Sequence, residues 1–136
     1  EKRGLSRKIV ALTKREEELM NFLWEYGQPL ASNEMLELCK EHSWSDSYLR
    51  IMLRSLEKKG AIVPCGMVRY GTQYARKFSC AFTKEEYYVQ LAASRGVNAE
   101  LFAKAAVAMA AQSDSKDQEN LIQELEEILQ DYKNKD

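Results

Sequence analysis

Histidine occurs once in this chain of 136 residues, as His42, and cysteine three times, as Cys39, Cys65 and Cys80, with no CxxC pair among them. An odd, scattered set of cysteines excludes a disulfide framework, and with a lone histidine it offers no recognisable metal-ligand spacing. Three small buried or half-buried thiols are expected instead. No apolar run approaches the roughly 20 residues of a membrane-spanning helix. The first residues carry Lys2, Arg3, Arg7 and Lys8 without a signal-peptide hydrophobic stretch, so a cytoplasmic protein with no membrane partner is expected. GxSxG, Walker and HExxH motifs are all missing, and the single histidine falls in a predicted loop. No enzyme, no cofactor and no metal are expected, and no internal repeat or low-complexity segment is present.

What is there is an ordinary globular balance. Hydrophobic residues make up 45%, enough for a core, and charged residues 30%. The net charge of −1 conceals an asymmetry. Residues 1–80 hold fourteen lysines and arginines against ten acids, a net of +4; residues 81–136 hold six against eleven, a net of −5. A basic half followed by an acidic one suggests that only the first meets a polyanion.

After a basic leader over residues 1–12, Thr13 and Glu16 form a capping box, and Leu19, Met20, Leu23 and Trp24 recur at helical spacing until Gly27. The run Glu16-Glu17-Glu18 is expected to complement the helix dipole. Pro29 keeps the linker extended, and Ser32 is expected to cap a second helix with Met35, Leu36 and Cys39 inward. Ser45 or Asp46 caps a third, with Leu49, Met52, Leu53 and Leu56 inward and Gly60 as its left-handed stop. Two strands are predicted next, Ala61 to Val63 and Gln73 to Phe82, with Pro64 marking an edge or a bulge. Thr83 and Glu86 make a second capping box for helix four, which ends near Gly96. Asn98 caps an alanine-rich fifth helix through Ala111, and Ser115 is expected to cap a sixth to about Lys133.

Three helices and a hairpin within 80 residues is the order of a winged helix-turn-helix. The expected fold is therefore mainly α (α+β): a winged helix with a two- or three-stranded wing over residues 1–82, then a helical dimerisation region over 83–136. The third helix would lie in the major groove, presenting Ser47, Tyr48, Arg50, Ile51, Arg54, Ser55 and Lys58. These are hydroxyls, cations and an aromatic, the types that reach phosphates and base edges. Ser47, Tyr48 and Ile51 sit where bases are read, Arg50 suits either role, and Arg54 and Lys58 suit phosphates; Tyr48 could instead fold back on Trp44. On the wing, Arg69, Arg76 and Lys77 suit phosphate or minor-groove contact, with Tyr70 and Tyr74 between them. In the tail, Leu101, Phe102, Val107, Met109, Leu121, Leu125, Ile128 and Leu129 exceed what so short a segment can bury within itself, and point to a homodimer.

The stretch LTKREEELMNFLWEYG resembles the opening helix of the BlaI/MecI/CopY family of penicillinase and copper-operon repressors, through Leu12, Thr13, Glu16 or Glu17, Met20, Leu23 and Trp24. SDSYLRIMLRSLEKKGAI is similar to that family's recognition helix, through Arg54, Leu56, Lys58, Lys59 and Gly60. Phe82 to Tyr87 resembles its junction into the dimerisation helices, and ENLIQELEEILQDYKNK its last helix. The resemblance implies a transcriptional repressor that binds palindromic double-stranded operator DNA as a homodimer, nucleoid-associated when bound. It also implies release by an inducing signal, with a sensor or protease as a further partner. The chain departs from the family at this point. Ala110-Ala111 stands where penicillinase repressors have a cleavable Asn-Phe bond, and the tail lacks the Cys-x-Cys array of the copper-responsive members.

Two other readings compete with a DNA-binding repressor. One is a winged-helix module that binds protein and not DNA, which acid partners on Arg50, Arg54 and Lys58 would favour. The other is a thiol or metal sensor built on Cys65 and Cys80. A hairpin turning near Arg69 to Gly71 would put Cys65 opposite residues 74–75, leaving Cys80 roughly 16 Å further along, beyond disulfide reach.

Overall fold

A computed structural model describes residues 11–42 and 44–134. The basic leader, apart from Ala11 and Leu12, lies outside the described residues, as does Ser43. The chain divides into two compact units between Leu91 and Ala92.

The first unit begins with α1 (Lys14–Tyr26). Thr13 Oγ1 accepts from the Glu16 N–H at 3.1 Å and Glu16 Oε1 accepts from the Thr13 N–H at 2.9 Å, closing the expected capping box. Gly27, at φ 80°, ends the helix in the left-handed conformation that a side chain would strain. A short strand, β1 (Leu30–Ala31), leads into α2 (Ser32–Leu38). Here the capping differs from expectation. Ala31 is the N-cap and Ser32 already lies inside the helix, because Glu34 Oε1 takes the Ala31 N–H at 2.8 Å. A 3-10 turn (Lys40–His42) then leads to α3 (Asp46–Lys59), capped by Ser45 and stopped by Gly60 at φ 82°.

Strands β2 (Ile62–Tyr70) and β3 (Gln73–Cys80) form the wing, and β1 pairs with β3 to complete a three-stranded antiparallel sheet in the order β1-β3-β2. The first wing strand is far longer than the three residues expected. Pro64 hid its continuity: the ladder shifts register between Pro64 and Gly66, so Cys65 is the extra residue of a bulge and pairing resumes beyond it. Tyr70 faces Gln73, so the hairpin turns on Gly71-Thr72 alone, with Gly71 at φ 64°. That register also corrects the expected position of Cys65, which stands opposite residues 77–78 rather than 74–75.

Leu19, Met20 and Leu23 of α1, Met35 of α2, Leu49, Met52, Leu53 and Leu56 of α3, Leu30, Ile62 and Phe78 of the sheet, and Ala61 just before β2 make one buried cluster. Three helices thus pack their apolar stripes on one face of a small sheet, the winged helix-turn-helix architecture. The start of α4 (Lys84–Ser94) belongs to the same unit. Its Tyr87 is 2% exposed, stands 5.8 Å from the Trp24 ring, and donates its hydroxyl to Glu17 at 2.7 Å. Trp24 Nε1–H donates to the Phe82 carbonyl at 2.8 Å.

The second unit holds α5 (Ala99–Ala111) and α6 (Ser115–Asn134). Asn98 caps α5 as expected, whereas α6 is capped by Asp114, whose Oδ1 accepts from Asp117 N–H at 2.9 Å, and not by Ser115. Neither helix contains a buried residue. Among the described residues no helix is long and apolar enough to cross a membrane.

Candidate nucleic-acid interface

The cap at Ser45 sets where α3 begins, since its Oγ accepts from the Tyr48 N–H at 3.1 Å. Four apolar residues then turn the helix inward, leaving Ser47, Arg50, Ile51, Arg54 and Lys58 exposed in one stripe. Ile51 is 61% exposed at its centre, an apolar side chain held in water among hydroxyl and cationic neighbours. Arg50 Nε donates to Asp46 Oδ2 at 2.9 Å, one turn back along the same helix. Arg54 and Lys58 have no hydrogen-bond or ion-pair partner among the described residues.

Tyr48 and Ser55, expected on this stripe, belong to the flank that meets α1. Ser55 is half-buried, and its hydroxyl donates to Glu16 Oε2 at 2.6 Å. Tyr48 packs against the core and its hydroxyl accepts from Arg15 Nη1 at 3.1 Å. It does not stack on Trp44, whose ring lies instead 4.3 Å from that of His42.

Behind the stripe, Glu16 holds α3 in place. Its side chain is 7% exposed, and Lys59 Nζ donates to its Oε1 at 2.6 Å. Burial alone would raise this carboxyl's pKa. The hydrogen bonds from Lys59, Ser55 and the Thr13 N–H outweigh that penalty and hold it down at about 2, so it stays ionised. Lys59 also donates to the Ala11 carbonyl at 2.9 Å. Of the three acids expected to complement the helix dipole, Glu16 is therefore a tertiary anchor, Glu17 receives Tyr87, and Glu18 stays exposed.

On the wing, Arg69 lies next to the turn, its Nε donating to the Gly71 carbonyl at 3.2 Å and its guanidinium 5.9 Å over the Tyr74 ring. Arg76 forms a forked pair with Glu57 of α3, at 3.1 and 3.2 Å, and covers Phe78 at 4.9 Å. That pair ties the hairpin to α3. Lys77 is half-buried in the central strand. The structure gathers Arg50, Arg54, Tyr70, Tyr74 and Arg76 around one groove between α2, α3 and the hairpin, which Glu37, Asp46 and Glu57 also line. Ser47, Ile51, Lys58 and Lys77 lie outside that groove. Arg15 escaped the sequence reading altogether: it lies 33 residues from Tyr48, and no local spacing signals the contact.

In the second unit, Leu101, Phe102, Val107, Met109, Leu125, Ile128 and Leu129 are 43–71% exposed, and Leu121 is half-buried. The two helices thus carry a large apolar surface in water.

The family model described as penicillinase repressor matches residues 12–131. The chain belongs to that family. Membership places it among transcriptional repressors. No curated protein matches the chain. Three structures of Lactococcus lactis ZitR variants resemble this penicillinase-repressor chain at 15–16% identity, with TM-scores of 0.39–0.40. They cover 90–93% of the chain and 77–80% of their own. Among the described residues, no cluster of three or more His, Cys, Asp or Glu could hold a metal ion.

Proposed function

We propose that this repressor acts by binding double-stranded operator DNA as a homodimer, with α3 in the major groove and the wing on the flanking backbone. The observation that carries the reading is the outward stripe of α3. Arg54 and Lys58 project from it without acid partners, on a helix clamped from behind by Glu16. A free cation pair on a rigid helix suits phosphates, and Ser47 and Ile51 beside it suit a base edge and a thymine methyl. Arg50 is paired with Asp46, which by itself favours a protein partner. That pair is exposed on both sides, though, and such pairs contribute only about 0–1 kcal/mol, so a phosphate or guanine can displace it.

The exposed apolar faces of α5 and α6 support a second copy as their cover, consistent with the repressor family. Two-fold symmetry in the protein calls for a palindromic operator with half-sites about one helical turn apart. Such a protein works in the cytoplasm, on the nucleoid when bound. Release requires an inducing signal. The pair Ala110-Ala111 in α5 offers no Asn-Phe bond there, so a sensor or protease that relieves repression would not use that bond at this position.

The test is a salt titration of duplex binding by fluorescence anisotropy. With six to eight phosphate contacts per dimer, the log–log slope of affinity against salt is expected at about −5 to −7. A slope near zero overturns DNA binding in favour of a protein partner.

A further inference from the structure

Arg15 and Tyr48 meet on the α1 flank of the first turns of α3, beside the exposed stripe rather than on it. Arg15 Nη1 donates to the Tyr48 hydroxyl at 3.1 Å, and its guanidinium carbon stands 5.9 Å from the centre of the Tyr48 ring. The contact spans two elements, and both partners keep unused hydrogen-bonding capacity. The Tyr48 oxygen accepts from Arg15, so its own O–H proton is free to donate, and it has no acceptor among the described residues. Arg15 is exposed, and its remaining guanidinium N–H groups donate to nothing among the described residues. Together they line an open groove with Lys14, Glu18, His42, Trp44 and Ser45. Glu18 is the one carboxylate in that lining; its charge favours the charged form of Arg15, but the two side chains make no hydrogen bond or close ion pair.

We infer that Arg15 and Tyr48 form a two-donor clamp for a single DNA backbone phosphate, on the strand bordering the groove that α3 enters. This rests on the DNA-binding reading above and extends its footprint onto α1. The chemistry is that of an anion taken between a guanidinium fork and a hydroxyl that Arg15 itself polarises. Location decides the class of ligand. Ser45 and Tyr48 fix the first turn of α3, so a cation held against Tyr48 lies beside the helix end that penetrates deepest, where the sugar-phosphate strand rises out of the groove. Tyr48 then positions the protein on the backbone instead of reading a base. The contact carries no sequence information, and it can be measured without knowing the operator.

The experiment uses the full chain and a fluorescein-labelled duplex of arbitrary sequence, titrated over a range of salt. Arg15→Ala is expected to flatten the log–log slope by about 1.8 for a dimer, one phosphate from each protomer. Tyr48→Phe keeps the ring but removes the hydroxyl. It is expected to lower affinity about three- to tenfold with the slope unchanged, because a neutral donor releases no counterion. Arg15→Lys should keep the slope and lose part of the affinity, since the charge remains and the fork does not. The double variant Arg15→Ala with Tyr48→Phe should lose little more than Arg15→Ala alone, because the two donors share one ligand. If Arg15→Ala binds with wild-type affinity and slope while the wild type retains a steep slope, the clamp is overturned and the DNA-binding reading stands. Strictly additive losses for the two substitutions also overturn it. A wild type with no salt dependence removes both.

Discussion

Glu16 in the first turn of α1 and Lys59 in the last turn of α3 meet at 2.6 Å across 43 residues of sequence. Ser55 donates to the other carboxylate oxygen at 2.6 Å. Two points on α3, one turn apart, are thus tied to one buried charge, which fixes both the rotation and the axial position of that helix. The DNA-binding reading proposed above calls for such a fixed helix, because a shift of an ångström would misplace every contact on its outer stripe.

This node makes stability depend on pH. The Glu16 pKa is held at about 2 in the fold, below its ordinary value of 4.5. A depressed folded-state pKa contributes stability that is fully present above the unfolded pKa and lost as pH falls through the folded one. Urea midpoints for the wild type should therefore decline between about pH 5 and pH 2, and Glu16→Gln should flatten that decline. At neutral pH the variant should be less stable by about 1–3 kcal/mol, since Lys59 and Ser55 lose a charged acceptor. Superimposable pH profiles for the two proteins would refute the role of Glu16.

Specificity should divide along the stripe of α3. On a duplex selected from a random pool, Ile51→Ala or Ser47→Ala should cost about 1–3 kcal/mol, with little loss on a scrambled duplex. Arg54→Ala and Lys58→Ala should weaken both duplexes alike. Equal losses for all four substitutions would mean that α3 only grips the backbone and that the wing or DNA shape selects the sequence.

Sedimentation equilibrium should find a dimer at micromolar concentration. The apolar side chains left in water on α5 and α6 gain about 25 cal/mol for each Å² a partner covers. Deletion of residues 113–136 removes α6 and should yield a monomer that binds duplex weakly. A full-length monomer at that concentration would rule out the dimeric reading.

The three thiols should separate by reactivity. Cys65 is exposed on the β2 bulge, whereas Cys39 is buried and Cys80 half-buried. Burial pushes both of the latter up to about 11, with Glu41 adding to the effect at Cys39, and so depletes the reactive thiolate. A disulfide reagent at mildly alkaline pH should modify one thiol quickly in the native protein and three after denaturation. Cys65→Ser should abolish the fast phase; its persistence would mean that a buried thiol becomes exposed on that timescale.

The amino-acid sequence by itself determined the features that depend on near neighbours. The capping boxes at Thr13–Glu16 and Thr83–Glu86 close within one turn, and the glycine stops at Gly27 and Gly60 need only local backbone geometry. The apolar stripe of α3 follows from a period of 3.6 residues, so its buried set and most of its exposed set were legible as spacing. The tertiary structure decided what depends on residues far apart in the chain. Whether Glu16 faces water or a lysine, whether Ser55 points to solvent or to α1, and whether Arg15 reaches Tyr48 all turn on how two helices cross. The β2 bulge belongs to this second group, because the strand resumes after Pro64 and Cys65 only when β3 lies alongside to supply the ladder. A spacing rule sees one element at a time, whereas a buried charge takes its partner from whichever element the packing brings within hydrogen-bonding distance.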